Sequence, residues 1–135
     1  MIKQIIKDKR GVSELVSTAA MMLVIFLLAG IILQLMAVGT AQLAVTAAAF
    51  SAARAATRSD APYATAVETA EQYGSGFLQD WADRLNVNLI SDDPENIDPG
   101  DKITVEVTYT AEPLFSAFPM PVVRGSSTQI MEELP

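Results

Sequence analysis

The sequence predicts an α+β protein: a long N-terminal transmembrane helix that continues into an alanine-rich helix, then a second helix and a small three-stranded antiparallel sheet. Three observations predict it. No residue from Leu15 to Ala53 is charged. From Tyr63 to Leu85, apolar residues recur at helical spacing. From Lys102 to Thr110, apolar and polar residues alternate as in a strand with one buried face.

The chain of 135 residues has room for one membrane segment and one small domain. It divides into a basic cytoplasmic leader, 1–14, a membrane and alanine-rich helix, 15–58, and an acidic extracytoplasmic domain, 59–135. It contains no cysteine and no histidine. No disulfide can therefore staple it, and the side chain most used for proton transfer and metal ligation is missing. Charge is split unevenly. Residues 1–58 hold six basic and two acidic residues, a net of +4, while residues 59–135 hold three basic and fourteen acidic ones, a net of −11. So acidic a domain repels phosphates, which argues against nucleic acid as a partner. The basic leader suits an anionic lipid surface.

The segment 15–38 contains thirteen Leu, Ile, Val or Phe residues. At roughly −0.3 to −0.6 kcal/mol each, they favour insertion by about 4–8 kcal/mol, against which Ser17, Thr18 and Gln34 are tolerable. As a helix it would be about 36 Å long, enough to cross a ~30 Å hydrocarbon core. Lys3, Lys7, Lys9 and Arg10 precede it, and only Arg54 follows closely. The positive-inside rule then leaves the N-terminus in the cytoplasm and the acidic domain outside. The alternative, a signal peptide cleaved after Gly39, conflicts with an apolar core well beyond the usual ~7–15 residues.

Beyond Val38 the sequence stays uncharged but loses its bulk. Alanine favours helix, so the helix is expected to reach about Thr57. Thr40, Ala44, Ala48, Ala52 and Ala56 recur every fourth residue as a ridge of small side chains. Such a ridge suits close helix packing, either on the chain's own domain or on other subunits. Asp60 or Ser59 is placed to cap the next helix, whose stripe is Tyr63, Val67, Ala70, Tyr73, Phe77, Leu78, Trp81 and Leu85, weakened in the middle by Gly74 and Gly76. Strands are expected at 87–90, 102–110 and 122–131, with Gly125 as a bulge or bend.

Two loops stand out. Residues 91–101 carry five acids, a set of oxygen ligands that suits Ca²⁺ but lacks the spacing of an EF-hand, so a solvated acidic turn is the simpler expectation. Residues 113–121 are proline-rich and apolar, suited to folding back on the core or to docking on a partner or membrane face.

The order of a short basic leader, Arg10-Gly11, Glu14, a long apolar helix, the run Ala52-Ala53-Arg54-Ala55-Ala56-Thr57-Arg58, a strand Ile103-Thr104-Val105-Glu106-Val107-Thr108-Tyr109 and a Ser/Thr-rich closing strand resembles the TadE-like proteins. These are pilin-related components of tight-adherence (Tad/Flp) pili. The resemblance implies a pilin-like fold, a prepilin peptidase and secretion machinery as partners, and cleavage after Gly11 to leave Val12 as the new N-terminus. In that family a glutamate usually stands fifth after the cut, whereas Glu14 would be third. A carboxylate at the lip of the bilayer is costly unless paired. A freed amine on Val12 would be a partner and would set register between subunits. Hydration at the interface, near Arg10, is the other role open to Glu14.

The expected function is therefore structural: a minor-pilin or pseudopilin-like component acting by helix packing among lipid, copies of itself and other pilin-like subunits, without cofactor or metal. A signal-anchored extracytoplasmic binding module, in one version Ca²⁺-dependent, is the alternative. The acids come with no nucleophile–base set, phosphate loop or metal-ligand spacing, which points away from an enzyme.

Overall fold

The computed structural model describes residues 9–76, 78, 80–113 and 121–133. Helix α1 spans Lys9–Ala56, α2 Pro62–Gly74 and the single turn α3 Trp81–Arg84; the strands are β1 Leu85–Ser91, β2 Lys102–Thr110 and β3 Val122–Ile130. The sheet is antiparallel in the order β1-β2-β3. The chain is thus α+β, with a long apolar N-terminal helix. It divides into two compact units, 1–36 and 37–135.

The first unit is described from Lys9 on and is helical throughout. Its large apolar side chains are open to the surroundings on every side, Leu15 and Phe26 at 73% and Leu23 at 65% exposure. Gly30 and Gln34 are the buried positions among its described residues. Mean hydropathy reaches 2.7 in an 18-residue window of α1, the one helix among the described residues long and apolar enough to cross a membrane. Such a surface costs free energy in water and gains it in lipid, so the helix is compatible with a single-pass membrane anchor.

In the second unit α1 becomes one-sided. Ala41, Ala44, Val45, Ala48, Ala49, Ala52, Ala53 and Ala56 are all at 4% exposure or less, the i, i+3, i+4 pattern of a helix with one face in a core. The sheet supplies Ile103, Val105, Val107, Tyr109 and Val123 to the same core. Contact between the two layers is at backbone level. A Cβ on Gly125 would stand 2.7 Å from the Thr46 Cα and N and from the Val45 carbonyl carbon. Gln42 Nε2 donates to the Arg124 carbonyl at 2.7 Å. Past the ends of both elements, the Glu132 amide donates to the Thr57 carbonyl at 3.2 Å.

Several expectations need correcting. The second helix does not run to Leu85. It stops at Gly74, and α3 is a separate turn entered from Asp80 at a left-handed φ of 53°. The cause is Trp81. A Cβ on Gly74 would stand only 2.5 Å from its ring, and its Nε1 donates to the Ala70 carbonyl at 2.7 Å. Trp81 also packs on Tyr109, ring centroids 5.1 Å apart. The aromatic stripe is accordingly not the buried face of α2. Ala66, Ala70 and Gly74 are buried, whereas Tyr63 and Tyr73 are 58% and 41% exposed; Phe77 lies outside the described residues. Neither Ser59 nor Asp60 caps α2. Ala61 holds the cap position with no side-chain bond, and Pro62 follows at the first helical turn, where its missing N–H is harmless. Ser59 Oγ instead accepts from the Ala61 amide at 3.1 Å and shares a hydrogen bond with Thr65.

Gly125 is neither bulge nor bend. It pairs regularly with Val107, and its role is to admit α1. The sheet therefore lies on α1 as well as beside α2, which borders β1. Strand β1 is longer than expected because Leu85 and Asn86 find partners in Tyr109 and Thr108. Of the proline-rich segment 113–121, residues 114–120 lie outside the described residues.

Candidate assembly surface

Each element of the expected assembly surface has a definite place. Gly11 and Val12 are helical residues of α1, both exposed. Glu14 is exposed, one helical turn after Arg10 on the same side.

The small-residue ridge divides. Ala44, Ala48, Ala52 and Ala56 are at 4%, 0%, 0% and 0% exposure. They face the chain's own sheet domain and keep almost no surface for a neighbouring subunit. Thr40, the fifth member, is exposed. Small side chains are used here for close approach, as the spacing suggests, but within one chain. Each buried methyl contributes about 0.8 kcal/mol, and the absence of bulk is what brings α1 down to the backbone of β3.

The opposite flank of α1 was not singled out in the sequence. Leu43 and Phe50 are 75% and 49% exposed on it. With half-buried Ala47 between them and exposed Arg54 beyond, they recur at alternating steps of three and four residues. That is the spacing of a seam between helices. The signal was present in the sequence but hidden, because a run rich in alanine reads as packing surface all round. Only the position of the sheet separates the inner flank from the outer one.

The acidic loop uses its carboxylates on its own backbone. Asp93 Oδ1 accepts from the amides of Glu95 and Asn96 at 3.2 and 3.3 Å, and Asp101 Oδ2 accepts from the Asp98 amide at 2.9 Å. Gly100, at φ 95°, closes the turn, and its amide donates to the Met131 carbonyl. Among the described residues no three acidic side chains converge as a metal site would require. Among the described residues the perturbed titratable group is Tyr109, whose phenol is pushed up by burial against the opposing pull of the Arg84 guanidinium. It belongs to the core.

No protein-family model, no curated protein and no solved structure matches this chain.

Proposed function

We propose that the protein is a structural or assembly component of a surface filament of the Tad/Flp type, a minor-pilin or pseudopilin-like subunit acting by helix packing rather than catalysis. The N-terminus faces the cytoplasm and the sheet domain lies outside until a secretion machine extracts the chain. The observation that carries this reading is the outer flank of α1 in the second unit. Leu43 and Phe50 stay in contact with solvent on a helix whose inner flank is already full, and a simple anchor needs no apolar seam there. The resemblance of the leader, the long apolar helix and the Ala-Ala-Arg-Ala-Ala-Thr-Arg run to TadE-like proteins supports the same class.

N-terminal sequencing of protein extracted from its native membrane is the first test. A start at Val12 is the expected result; an intact Met1, or a start near Thr40, counts against processing as a prepilin. Disulfide crosslinking separates a filament subunit from a lone anchored module. Cysteines go at Leu43, Ala47 and Phe50, since the buried alanines cannot reach a neighbour. Ladders of crosslinked subunits support assembly, and monomers alone favour the anchored module.

A further inference from the structure

The solvent face of the sheet carries a second surface, independent of the helix seam. Strand register sets Asn86 opposite Thr108 and Thr108 opposite Arg124; one step along, Asn88 stands opposite Glu106. Strand alternation sends these five side chains away from the face that buries Ile103, Val105, Val107 and Tyr109. Tyr63, the second residue of α2, closes one side. Together they line a concavity of about 500 Å³, within the ~300–1,000 Å³ typical of small-ligand sites.

The chemistry of this lining selects a class of ligand. Glu106 and Arg124 are paired at 3.5 Å, so the concavity is neutral inside a domain of net charge −11. A balanced arginine does not select an anion, and a balanced glutamate does not select a cation. Two amides, two hydroxyls, a carboxylate and a guanidinium offer donors and acceptors in comparable number. The side chains that face the concavity are polar, which leaves little for a lipid or an apolar peptide to bind. What fits is a neutral chain rich in hydroxyl groups with small apolar C–H patches for the Tyr63 ring, 58% exposed as it is. Five of the polar residues stand on paired strands, which hold them in fixed relative positions.

We propose that this concavity binds a neutral polysaccharide chain, with Tyr63 as the stacking platform and Asn86, Asn88 and the Glu106–Arg124 pair as the hydrogen-bonding groups. The site does not depend on the assembly role and could serve a filament or a lone anchored protein equally.

The test uses the full chain in lipid nanodiscs, so that no glycoside detergent competes, probed against an array of neutral and charged oligosaccharides. Retention of at least one neutral oligosaccharide, in preference to sulfated or uronic-acid ones, is expected. Titration with the best-retained neutral hexasaccharide should then give a Kd that Tyr63→Ala and Asn88→Ala each weaken tenfold or more. Glu95→Gln, in the acidic loop, should leave it unchanged. The near-UV circular dichroism of Trp81, the only tryptophan, verifies that each variant keeps its core. Asn88 is exposed on the sheet and decides the matter alone if Tyr63→Ala disturbs α2. Retention of no neutral oligosaccharide, a preference for charged ones, or wild-type affinity in Asn88→Ala overturns the proposal.

Discussion

Two stretches of one helix differ in what surrounds them. Between Leu15 and Met36, α1 presents leucine, isoleucine, valine, methionine and phenylalanine on all sides, exposed by half or more at most positions. Between Ala41 and Ala56 it presents alanine on one flank, fully buried, and leaves Leu43 and Phe50 on the other. Bulk without direction suits a solvent of lipid chains, where every side gains equally. Small side chains on a single flank suit a solid neighbour, where the gain comes from close approach and specific shape. The apolar content of the two stretches is similar, so hydrophobicity alone does not tell lipid contact from protein contact. Residue size and sidedness do.

The largest way to break this contrast is at Gly125. A valine there would push its Cβ into the backbone of Thr46 and Val45 at 2.7 Å, and backbone cannot step aside as a flexible side chain would. Gly125→Val should destabilise the second unit by about 3 kcal/mol or more. Thermal unfolding followed by Trp81 fluorescence reads this directly, and an unchanged midpoint would show that α1 and β3 are not in backbone contact.

The same substitution in both stretches sharpens the comparison. Ala48→Leu inserts three carbons at a position with 0% exposure and should cost about 2 kcal/mol. Ala29→Leu, exposed in the first unit, should leave the Trp81 transition where it is. Equal effects from the two would contradict a division of tasks along the helix.

Smaller effects probe the core and its edge. Burial raises the Tyr109 phenol above its ordinary value of 10.0, so the fold holds the neutral form. Its stabilisation is complete below the unfolded pKa of about 10 and declines as pH rises from there through the higher folded value. Wild type should therefore lose thermal stability above about pH 10 more steeply than Tyr109→Phe; parallel curves would remove this linkage. Least of all, the Arg58–Glu132 pair, 3.2 Å apart with both side chains more than half exposed, should contribute only about 0.5 kcal/mol or less. A Glu132→Gln variant measured at low and high salt should show that small difference shrink with salt.

Much of the fold was legible locally. Strand β2 begins and ends at the residues its alternation marks, because period-two burial is a property of the strand itself. The long helix follows from an uninterrupted run of helix-forming, uncharged residues. The end of the second helix is not legible locally, because Tyr63, Tyr73, Trp81 and Leu85 share a helical period that the chain does not follow past Gly74. A tryptophan returning to bond Ala70 across eleven residues leaves no local trace. Gly125 offered the same ambiguity, since a glycine in a strand marks a bulge or a close approach with equal sequence evidence. The candidate surface was legible only as a helix rich in small residues, with no sign of which flank the domain would occupy.

By itself, then, the sequence determined where lipid contact is favoured, that the distal domain is acidic and α+β, and that the chain between them would be helical. Each follows from composition and short-range period. Tertiary structure alone decided that the alanine ridge is spent on the chain's own sheet, that Leu43 and Phe50 face outward, and that Tyr63 joins a neutral polar concavity. Those outcomes depend on which distant residues meet, Thr46 with Gly125 and Trp81 with Gly74, and a contact of that kind is set by the shape of both partners at once.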